Sequence, residues 1–339
     1  PEFDGSNDRV TGQQVCILDG GIRPEENPVW IEGPHLYHIG DKYYLMCAEG
    51  GTGPDHREVV LEGTSPRGKF TPCAVNPILK APSADRFPVT CTGHADLVET
   101  PGGEWYAVFL AMRPYNGDGH DICGRETFIL PVDWSAGQPV VVGGDRPIPY
   151  RGGTGEAVGL WDDEGLAVDA FFIRNQQADR YQVDRGRLVL TASYNRFPDV
   201  CAPTAVGRWI TENAFEISTT VDAFEAVGND DFAGIVIFKD DDANILFGRS
   251  VTADGRPCVR LSVCMREGEP MYREYEIADG GKPMTFVVRN NGDGLYNFAY
   301  GIEDSSPVEL EDVIPADLLS SRTVDNFTGT MAGLFASFR

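Results

Sequence analysis

The apolar residues of this 339-residue chain fall into short runs separated by glycine and proline, and this spacing limits the folds open to it. The runs are rich in valine, isoleucine, tyrosine and phenylalanine, and the chain contains 39 glycines and 23 prolines. β-Branched and aromatic residues pack well on a pleated sheet, whereas glycine and proline favour turns. Hardly any segment has apolar residues at helical spacing over three turns; residues 310–319 form a short helix at most, since Pro315 would break it. The sequence therefore predicts an all-β protein.

The first part of the chain is predicted to consist of hairpins. Residues 36–39 and 42–47 flank a Gly-Asp turn, and residues 96–100 and 105–110 flank a turn with two glycines. Hairpins of similar length recur about every 45 to 60 residues, a period typical of four-stranded propeller blades. We therefore assign residues 4–150 to part of a β-propeller. Residues 1–3, Pro-Glu-Phe, look like the tail of a cloning linker and are set apart.

A second domain is predicted after a boundary rich in proline and glycine at residues 147–155. Beyond it, longer segments at 215–221, 233–238 and 284–289 alternate between apolar and polar residues. This alternation fits strands with one buried face, as in a β-sandwich. We therefore assign residues 151–339 to a β-sandwich accessory domain.

The charge of the chain excludes some classes of partner. The 28 lysines and arginines stand against 52 aspartates and glutamates, which gives a formal net charge of −24. Phosphates would be repelled, so neither nucleic acid nor an anionic membrane is expected as a partner, and a neutral or cationic ligand is favoured. The eight cysteines form no CxxC motif and no zinc-ligand spacing with histidine, so they are expected to be mostly free and buried thiols.

Three segments carry candidate functional side chains at the starts of predicted strands. Glu32 follows the apolar pair Trp-Ile and precedes Gly-Pro, so its carboxyl lies on a rigid turn as a general acid would. His94 stands between small residues, and Arg125 follows a glycine. An arginine there can offer a fixed fork of donors to sugar hydroxyls or to a carboxylate. Taken singly, each residue is more often structural or an exposed turn residue than a functional one.

Five short blocks in order resemble glycoside hydrolase family 43, the β-xylosidase and α-L-arabinofuranosidase group. They are Glu-Gly-Pro-His-Leu-Tyr at 32–37, Ala-Glu-Gly-Gly-Thr-Gly at 48–53 with His56, Asn-Pro-Ile-Leu at 76–79, Thr-Gly-His-Ala-Asp-Leu at 92–97 and Gly-Arg-Glu-Thr at 124–127. A weaker likeness continues at 202–208 and 232–236, where many of these enzymes carry a β-sandwich.

The resemblance implies a five-bladed catalytic propeller followed by a sandwich, and an exo-acting hydrolase that inverts anomeric configuration. Its substrate would be a pentose-containing oligosaccharide, from which terminal xylose or arabinose is released. The resemblance makes Glu32 the general acid, places His94 at the pocket floor on the propeller axis, and gives Arg125 to sugar binding. Phe327 is the candidate aromatic of the second domain that closes the pocket. No cofactor is required, and some members hold calcium near the axial histidine.

The sequence departs from the family pattern before Glu32. In the family, the general-base aspartate and a second aspartate that modulates the acid both precede this block. Here 31 residues precede it, and Asp4, Asp8 and Asp19 lie outside the family's motifs. We therefore expect a companion chain to carry the N-terminal propeller blades and the base, because an open propeller would expose unpaired strand edges. The alternative is a non-catalytic carbohydrate-binding protein or an inactive fragment.

Overall fold

The protein is built almost entirely from β-strands. The computed structural model describes residues 1–82, 89–115, 119–150, 152–153, 155–278 and 280–338. It contains 47% strand and 5% helix, which confirms the all-β prediction. Two compact units are present, Pro1–Arg113 with Arg125–Tyr150 and Pro114–Gly124 with Arg151–Arg339. The short segment 114–124 thus leaves the first unit and folds with the second.

The first unit contains two four-stranded antiparallel meanders. Its strands are β1 (Glu2–Asp4), β2 (Arg9–Thr11), β3 (Ile31–Ile39), β4 (Lys42–Glu49), β5 (Arg57–Gly63), β6 (Thr71–Pro72), β7 (Thr90–Glu99), β8 (Trp105–Met112), β9 (Glu126–Asp133) and β10 (Val140–Val141), with a 3-10 turn at Pro24–Glu26. One sheet has the order β3-β4-β5-β6 and the other β7-β8-β9-β10. Four sequential antiparallel strands are the pattern of a propeller blade, and both predicted hairpins are confirmed.

The two meanders share a core. Strand β7 packs against β3, β4 and β5, and fully buried Met46, Leu79 and Phe109 belong to one apolar cluster. Burial of such side chains is worth about 1.5–3 kcal/mol each and sets the position of neighbouring strands. Strands β3 and β7 therefore hold a fixed distance from each other, and these two strands carry Glu32 and His94.

The second unit contains the remaining strands. They are β11 (Trp161–Asp162), β12 (Gly165–Leu166), β13 (Phe171–Phe172), β14 (Tyr181–Asp184), β15 (Arg187–Leu190), β16 (Thr204–Trp209), β17 (Ala214–Val221), β18 (Phe232–Asp240), β19 (Ala243–Val251), β20 (Pro257–Cys264), β21 (Met271–Glu276), β22 (Met284–Asn291), β23 (Leu295–Ile302), β24 (Val308–Pro315) and β25 (Met331–Ser337). The helical segments among its described residues are short: 3-10 turns at Ala178–Arg180, Phe197–Asp199 and Ala316–Leu319 and the α-helix α1 (Ser321–Val324). Among the described helices, none is long and apolar enough to cross a membrane.

A seven-stranded and a four-stranded sheet form the sandwich. Their orders are β13-β16-β25-β18-β19-β20-β21 and β17-β22-β23-β24. Phe247 of the larger sheet meets Phe286 and Phe298 of the smaller one edge to face, with ring centroids 5.4 Å and 5.2 Å away. Side chains from two inner faces that interdigitate in this way define a β-sandwich core.

Two expectations about single segments were wrong. Strand β18 is buried on both faces, because Phe197 packs on its outer side and forms a second apolar cluster with Phe238 of β18 and Phe335 of the neighbouring β25. Residues 310–315 are not helical but belong to β24, whose side chains alternate and whose backbone pairs with β23. Pairing with a neighbouring strand outweighed the weak helical spacing there, and only Ala316–Leu319 forms a 3-10 turn.

Buried polar groups hold segment 114–124 within the second unit. The fully buried Asp121 carboxylate accepts hydrogen bonds from the Ser321 backbone (3.2 Å) and hydroxyl (3.0 Å), and from the Gly124 backbone (2.9 Å). The Lys239 ammonium, which is 3% exposed, donates to the Ser321 hydroxyl (2.9 Å) and to the Thr328 carbonyl. Burial lowers the pKa of Lys239 to about 8, although Asp121 and Asp240 oppose this shift.

The free energy of unfolding should rise with pH through the titration of Lys239. The unfolded lysine stays protonated up to its usual pKa near 10.5, whereas the folded one loses its proton near 8. Between these values the folded state binds fewer protons, so stability increases with pH, by up to about 3 kcal/mol.

Burial raises the pKa values of the Cys47, Cys73 and Cys258 thiols, which lowers stability as pH rises, so the test is a difference between variants. In denaturant titrations, the free energy of unfolding of the unmodified protein minus that of Lys239→Met should increase between pH 7.5 and 10. Lys282→Met removes an exposed ammonium paired with Glu303 and should show no such change in its difference from the unmodified protein. A difference for Lys239→Met that does not change with pH would contradict the assignment.

Candidate active site

Glu32 lies on a bulge near the start of β3. Residues 33 and 34 stand opposite a single residue of β4, because Glu32 pairs with Ala48 and His35 pairs with Met46. Gly33 has φ +57°, a left-handed conformation that glycine adopts without steric strain. Such bulges bend the strand and re-aim the neighbouring side chain. The Glu32 side chain is half-buried, so it can meet both protein groups and a ligand.

His94 lies on a doubly bulged part of β7. Strand β7 slips twice against β8, between Thr90 and Gly93 and again between Gly93 and Asp96. His94 itself has φ +53°, which is uncommon for a side chain other than glycine. The surrounding structure must hold this conformation, and it presents His94 as an exposed side chain.

Glu32, His94 and Arg125 are brought together. A Cβ atom at Gly33 would lie 2.6 Å from Nε2 of His94, so the imidazole covers the backbone next to Glu32. Burial lowers the pKa of the Arg125 guanidinium, and the attraction of the nearby Glu32 carboxylate opposes this shift. One carboxyl, one imidazole and one guanidinium therefore lie close together, near the starts of β3 and β9 and at the bulged middle of β7.

A buried glutamate supports the His94 bulge. Glu58 is fully buried on β5, and its Oε2 accepts a hydrogen bond from the Ala95 backbone at 2.9 Å. Burial raises the pKa of Glu58 well above its usual value, while hydrogen bonds from the backbones of Ala95 and His94 oppose this rise. A carboxyl that accepts from two successive N–H groups fixes the local backbone, so Glu58 is a positioning residue for His94.

A second histidine fills the space beside Gly93. His56 is 1% exposed, and its Nδ1 lies 3.0 Å from the Cys91 carbonyl, which can only accept a hydrogen bond. Its ring centroid is 6.5 Å from that of His94, and a Cβ at Gly93 would come within 2.7 Å of the His56 ring. Burial lowers the pKa of His56, so this imidazole is neutral at neutral pH and acts as a packing element.

Arg125 directly precedes β9, and an ion pair anchors the start of that strand. Arg113 is 3% exposed and contacts Glu126 through two bonds, from Nε at 2.7 Å and from Nη2 at 2.8 Å. The Arg113 guanidinium also stacks 3.7 Å from the centroid of the Tyr150 ring. A bidentate, largely buried pair holds its partners in one geometry, so the backbone next to Arg125 is fixed.

Phe327 lies in the second unit, in the loop between α1 and β25, and 54% of its side chain is exposed. Its predicted role at the pocket of the propeller stays a prediction. Among the described residues, no group of three or more His, Cys, Asp or Glu side chains could hold a metal ion, and the calcium expected near the axial histidine stays a prediction.

The arrangement can protonate an oxygen atom and bind a neutral polyol. Glu32 offers a carboxyl that can give a proton, while His94 and Arg125 offer N–H donors that suit sugar hydroxyls. Sequence reasoning found these three residues but gave no role to His56 and missed Glu58. In the sequence, Glu58 directly precedes the apolar residues Val59 and Val60. A carboxylate in such a run is rarely buried without a hydrogen-bonding partner, and this pattern could have marked Glu58 as a supporting residue.

Family models match both units of the chain. Residues 2–139 match the model of glycosyl hydrolases family 43, and residues 161–338 match the beta xylosidase C-terminal concanavalin A-like domain. The chain belongs to glycoside hydrolase family 43. This confirms the resemblance seen in the sequence, together with the propeller and sandwich fold class.

Individual relatives carry two kinds of activity in their names. A non-reducing end alpha-L-arabinofuranosidase of Bacteroides ovatus is 37% identical over 222 residues, which are 62% of this chain and 42% of that protein. A beta-xylosidase of Bacillus subtilis is 34% identical over 151 residues, 42% of this chain and 27% of that one. The crystal structure of a family 43 protein from the capybara gut metagenome superposes with a TM-score of 0.84 at 27% identity, covering 98% of this chain and 65% of that one. The chain thus spans less than two thirds of each of these relatives.

Proposed function

We propose that this chain is part of an inverting, exo-acting glycoside hydrolase that releases terminal xylose or arabinose from xylo- or arabino-oligosaccharides. The observation that carries the proposal is the contact between Gly33 and the His94 ring, beside which the Glu32 carboxyl stands. Relatives named as an arabinofuranosidase and a beta-xylosidase support the choice of sugars. The net charge of −24 suits a neutral substrate.

Each of the site residues has a separate proposed role in the reaction. Glu32 donates a proton to the glycosidic oxygen as the bond to the leaving group breaks, which lowers the energy of the departing alkoxide. His94 forms the floor under the terminal sugar, and Arg125 donates hydrogen bonds to its hydroxyls. Phe327 is the aromatic side chain proposed to close the pocket.

Inversion needs a second carboxylate that activates water on the opposite face of the sugar. In an inverting enzyme the two carboxyls are about 6.5–9.5 Å apart. The family resemblance assigns this base to blades that precede the Glu32 block. We propose that the complete reaction uses such blades, whether they precede Pro1 in the same polypeptide or come from a companion chain.

A substrate panel tests the proposal on the full-length protein together with any residues that precede Pro1. p-Nitrophenyl β-xyloside and α-L-arabinofuranoside should both be assayed, since the motifs favour neither sugar. We expect release of p-nitrophenol from at least one substrate, with proton NMR showing the inverted anomer as the first product. Retention of configuration would refute the inverting mechanism, and no release from either substrate would refute the hydrolase.

A non-catalytic carbohydrate-binding protein is the second candidate, because the chain spans only part of its relatives. This candidate predicts binding of xylo-oligosaccharides without turnover, and Glu32→Gln would leave the affinity unchanged. Calorimetric titration of the unmodified protein and of Glu32→Gln distinguishes the two functions.

A further inference from the structure

Trp30 directly precedes β3, the strand that carries Glu32, and has two unusual features. Its side chain is 67% exposed, more than that of any of the other four tryptophans. Its backbone has φ +39°, a left-handed conformation that costs a bulky side chain free energy and is a genuine outlier. Strain combined with an exposed aromatic ring points to a functional constraint rather than to packing.

Several contacts hold this conformation. The Gly50 backbone donates a hydrogen bond to the Val29 carbonyl at 2.8 Å, and a Cβ at Gly51 would lie 3.3 Å from Val29 and 3.8 Å from the Trp30 ring. The turn that carries both glycines follows Glu49, a residue that is 1% exposed. The indole therefore rests on a fixed turn.

Glu49 in turn is fixed from two sides. Its Oε1 pairs with Arg57, from Nη2 at 2.6 Å and from Nε at 2.7 Å, and its Oε2 accepts a hydrogen bond from the Ile22 backbone at 3.2 Å. A buried, bidentate ion pair is costly to break, because either partner would remain charged without compensation. The platform under Trp30 is thus rigid before any ligand arrives.

The position of Trp30 suits the leaving group. An extended chain advances about 3.3 Å per residue, so the Cα of Trp30 lies about 6–7 Å from that of Glu32, roughly the width of one sugar ring. The general acid must contact the glycosidic oxygen, which separates the terminal sugar from the next one. The His94 ring lies against Gly33, directly after Glu32, whereas the exposed indole, two residues before Glu32, offers an apolar face towards solvent.

We propose that Trp30 is the binding platform for the leaving-group sugar, the residue after the scissile bond. This inference rests on the proposed hydrolase function. The C–H face of a pyranose packs against the indole, which buries apolar surface without any charged contact. Because the ring is already held in place, little conformational entropy is lost on binding. Trp30 thereby selects oligosaccharides over small alkyl glycosides.

The test compares two leaving groups with the terminal sugar that the enzyme releases. One substrate is the disaccharide, such as xylobiose; the other is the glycosyl fluoride of the same anomeric configuration, which has no second sugar. Trp30→Ala should lower kcat/KM for the disaccharide about 10-fold, mainly through KM, and leave the fluoride within about 2-fold. Trp30→Phe should restore most of the loss, and Val10→Ala, at a residue of β2 that is 63% exposed, should behave as the unmodified protein.

Each remaining outcome has a separate meaning. Equal losses for the disaccharide and the fluoride would overturn the platform and leave the hydrolase intact, since a general disturbance of the pocket acts on both. A loss for the disaccharide that lies in kcat and not in KM would also overturn it, because a displaced Glu32 slows only the leaving group that needs a proton. No loss with either substrate would also overturn it. Failure of the unmodified protein to cleave both substrates would refute the hydrolase function, and the subsite with it. As a second readout, xylobiose should change the tryptophan fluorescence of Glu32→Gln but not of the double variant with Trp30→Phe.

Discussion

Replacement of Glu32 with glutamine should lower the turnover of xylobiose and other glycosides with poor leaving groups by about 10²–10⁴-fold. Such leaving groups depart as alkoxides and need a proton from the enzyme, which an amide cannot give. Glutamine keeps the size and polarity of the side chain, so the half-buried position should tolerate it. Rates measured with the complete protein, alongside a thermal melt to check folding, give the effect on catalysis alone.

The leaving group separates an acid from other roles of Glu32. A 2,4-dinitrophenyl glycoside departs without protonation, so Glu32→Gln should reduce its hydrolysis far less than that of xylobiose. Glu99→Gln, at the exposed far end of β7, is the matched control and should change neither rate. Equal losses for both leaving groups in Glu32→Gln would show that Glu32 binds the sugar or orders the pocket instead of donating the proton.

The features that could be predicted from the sequence are those that depend on residues close together along the chain. The hairpins flanking Gly40-Asp41 and residues 101–104 follow from alternation and turn residues, and both are present. Glu32 and His94 were predicted as site residues because short motifs mark them, and the structure places them close together. Their bulges could not be derived, because a bulge depends on how one strand pairs with the next and not on the residue itself.

Contacts between distant residues account for what the sequence missed. Asp121 binds Ser321 across 200 positions, so nothing local indicated that segment 114–124 would fold with the sandwich. Glu58 likewise accepts hydrogen bonds from the backbones of Ala95, 37 positions away, and of His94. Local pattern determined strands and turns, whereas the support of the His94 backbone depends on buried polar pairs that form only in the folded chain.

Gly33→Ala should reduce activity about 10²-fold while Gly40→Ala leaves it unchanged. Both glycines have left-handed φ angles, +57° and +65°, so an alanine at either one should cost roughly 1 kcal/mol of stability through backbone strain. The two differ in their surroundings. The new methyl at position 33 meets Nε2 of His94 at 2.6 Å, whereas at position 40 it meets nothing within 4 Å. A displacement of about 1 Å at a reacting centre is enough to lower the rate 10²-fold.

Gly40→Ala therefore controls for strain, and a double-mutant cycle with His94→Ala tests the route of the effect. If the methyl acts by pushing the imidazole away, Gly33→Ala should cost little further activity once His94 is already alanine. Similar melting temperatures for Gly33→Ala and Gly40→Ala would show that the loss is not one of folding. Full activity of Gly33→Ala would mean that the contact between Gly33 and His94 does not position the site. Fully additive losses in the cycle would instead show that Gly33→Ala acts independently of His94, through strain in the backbone next to Glu32.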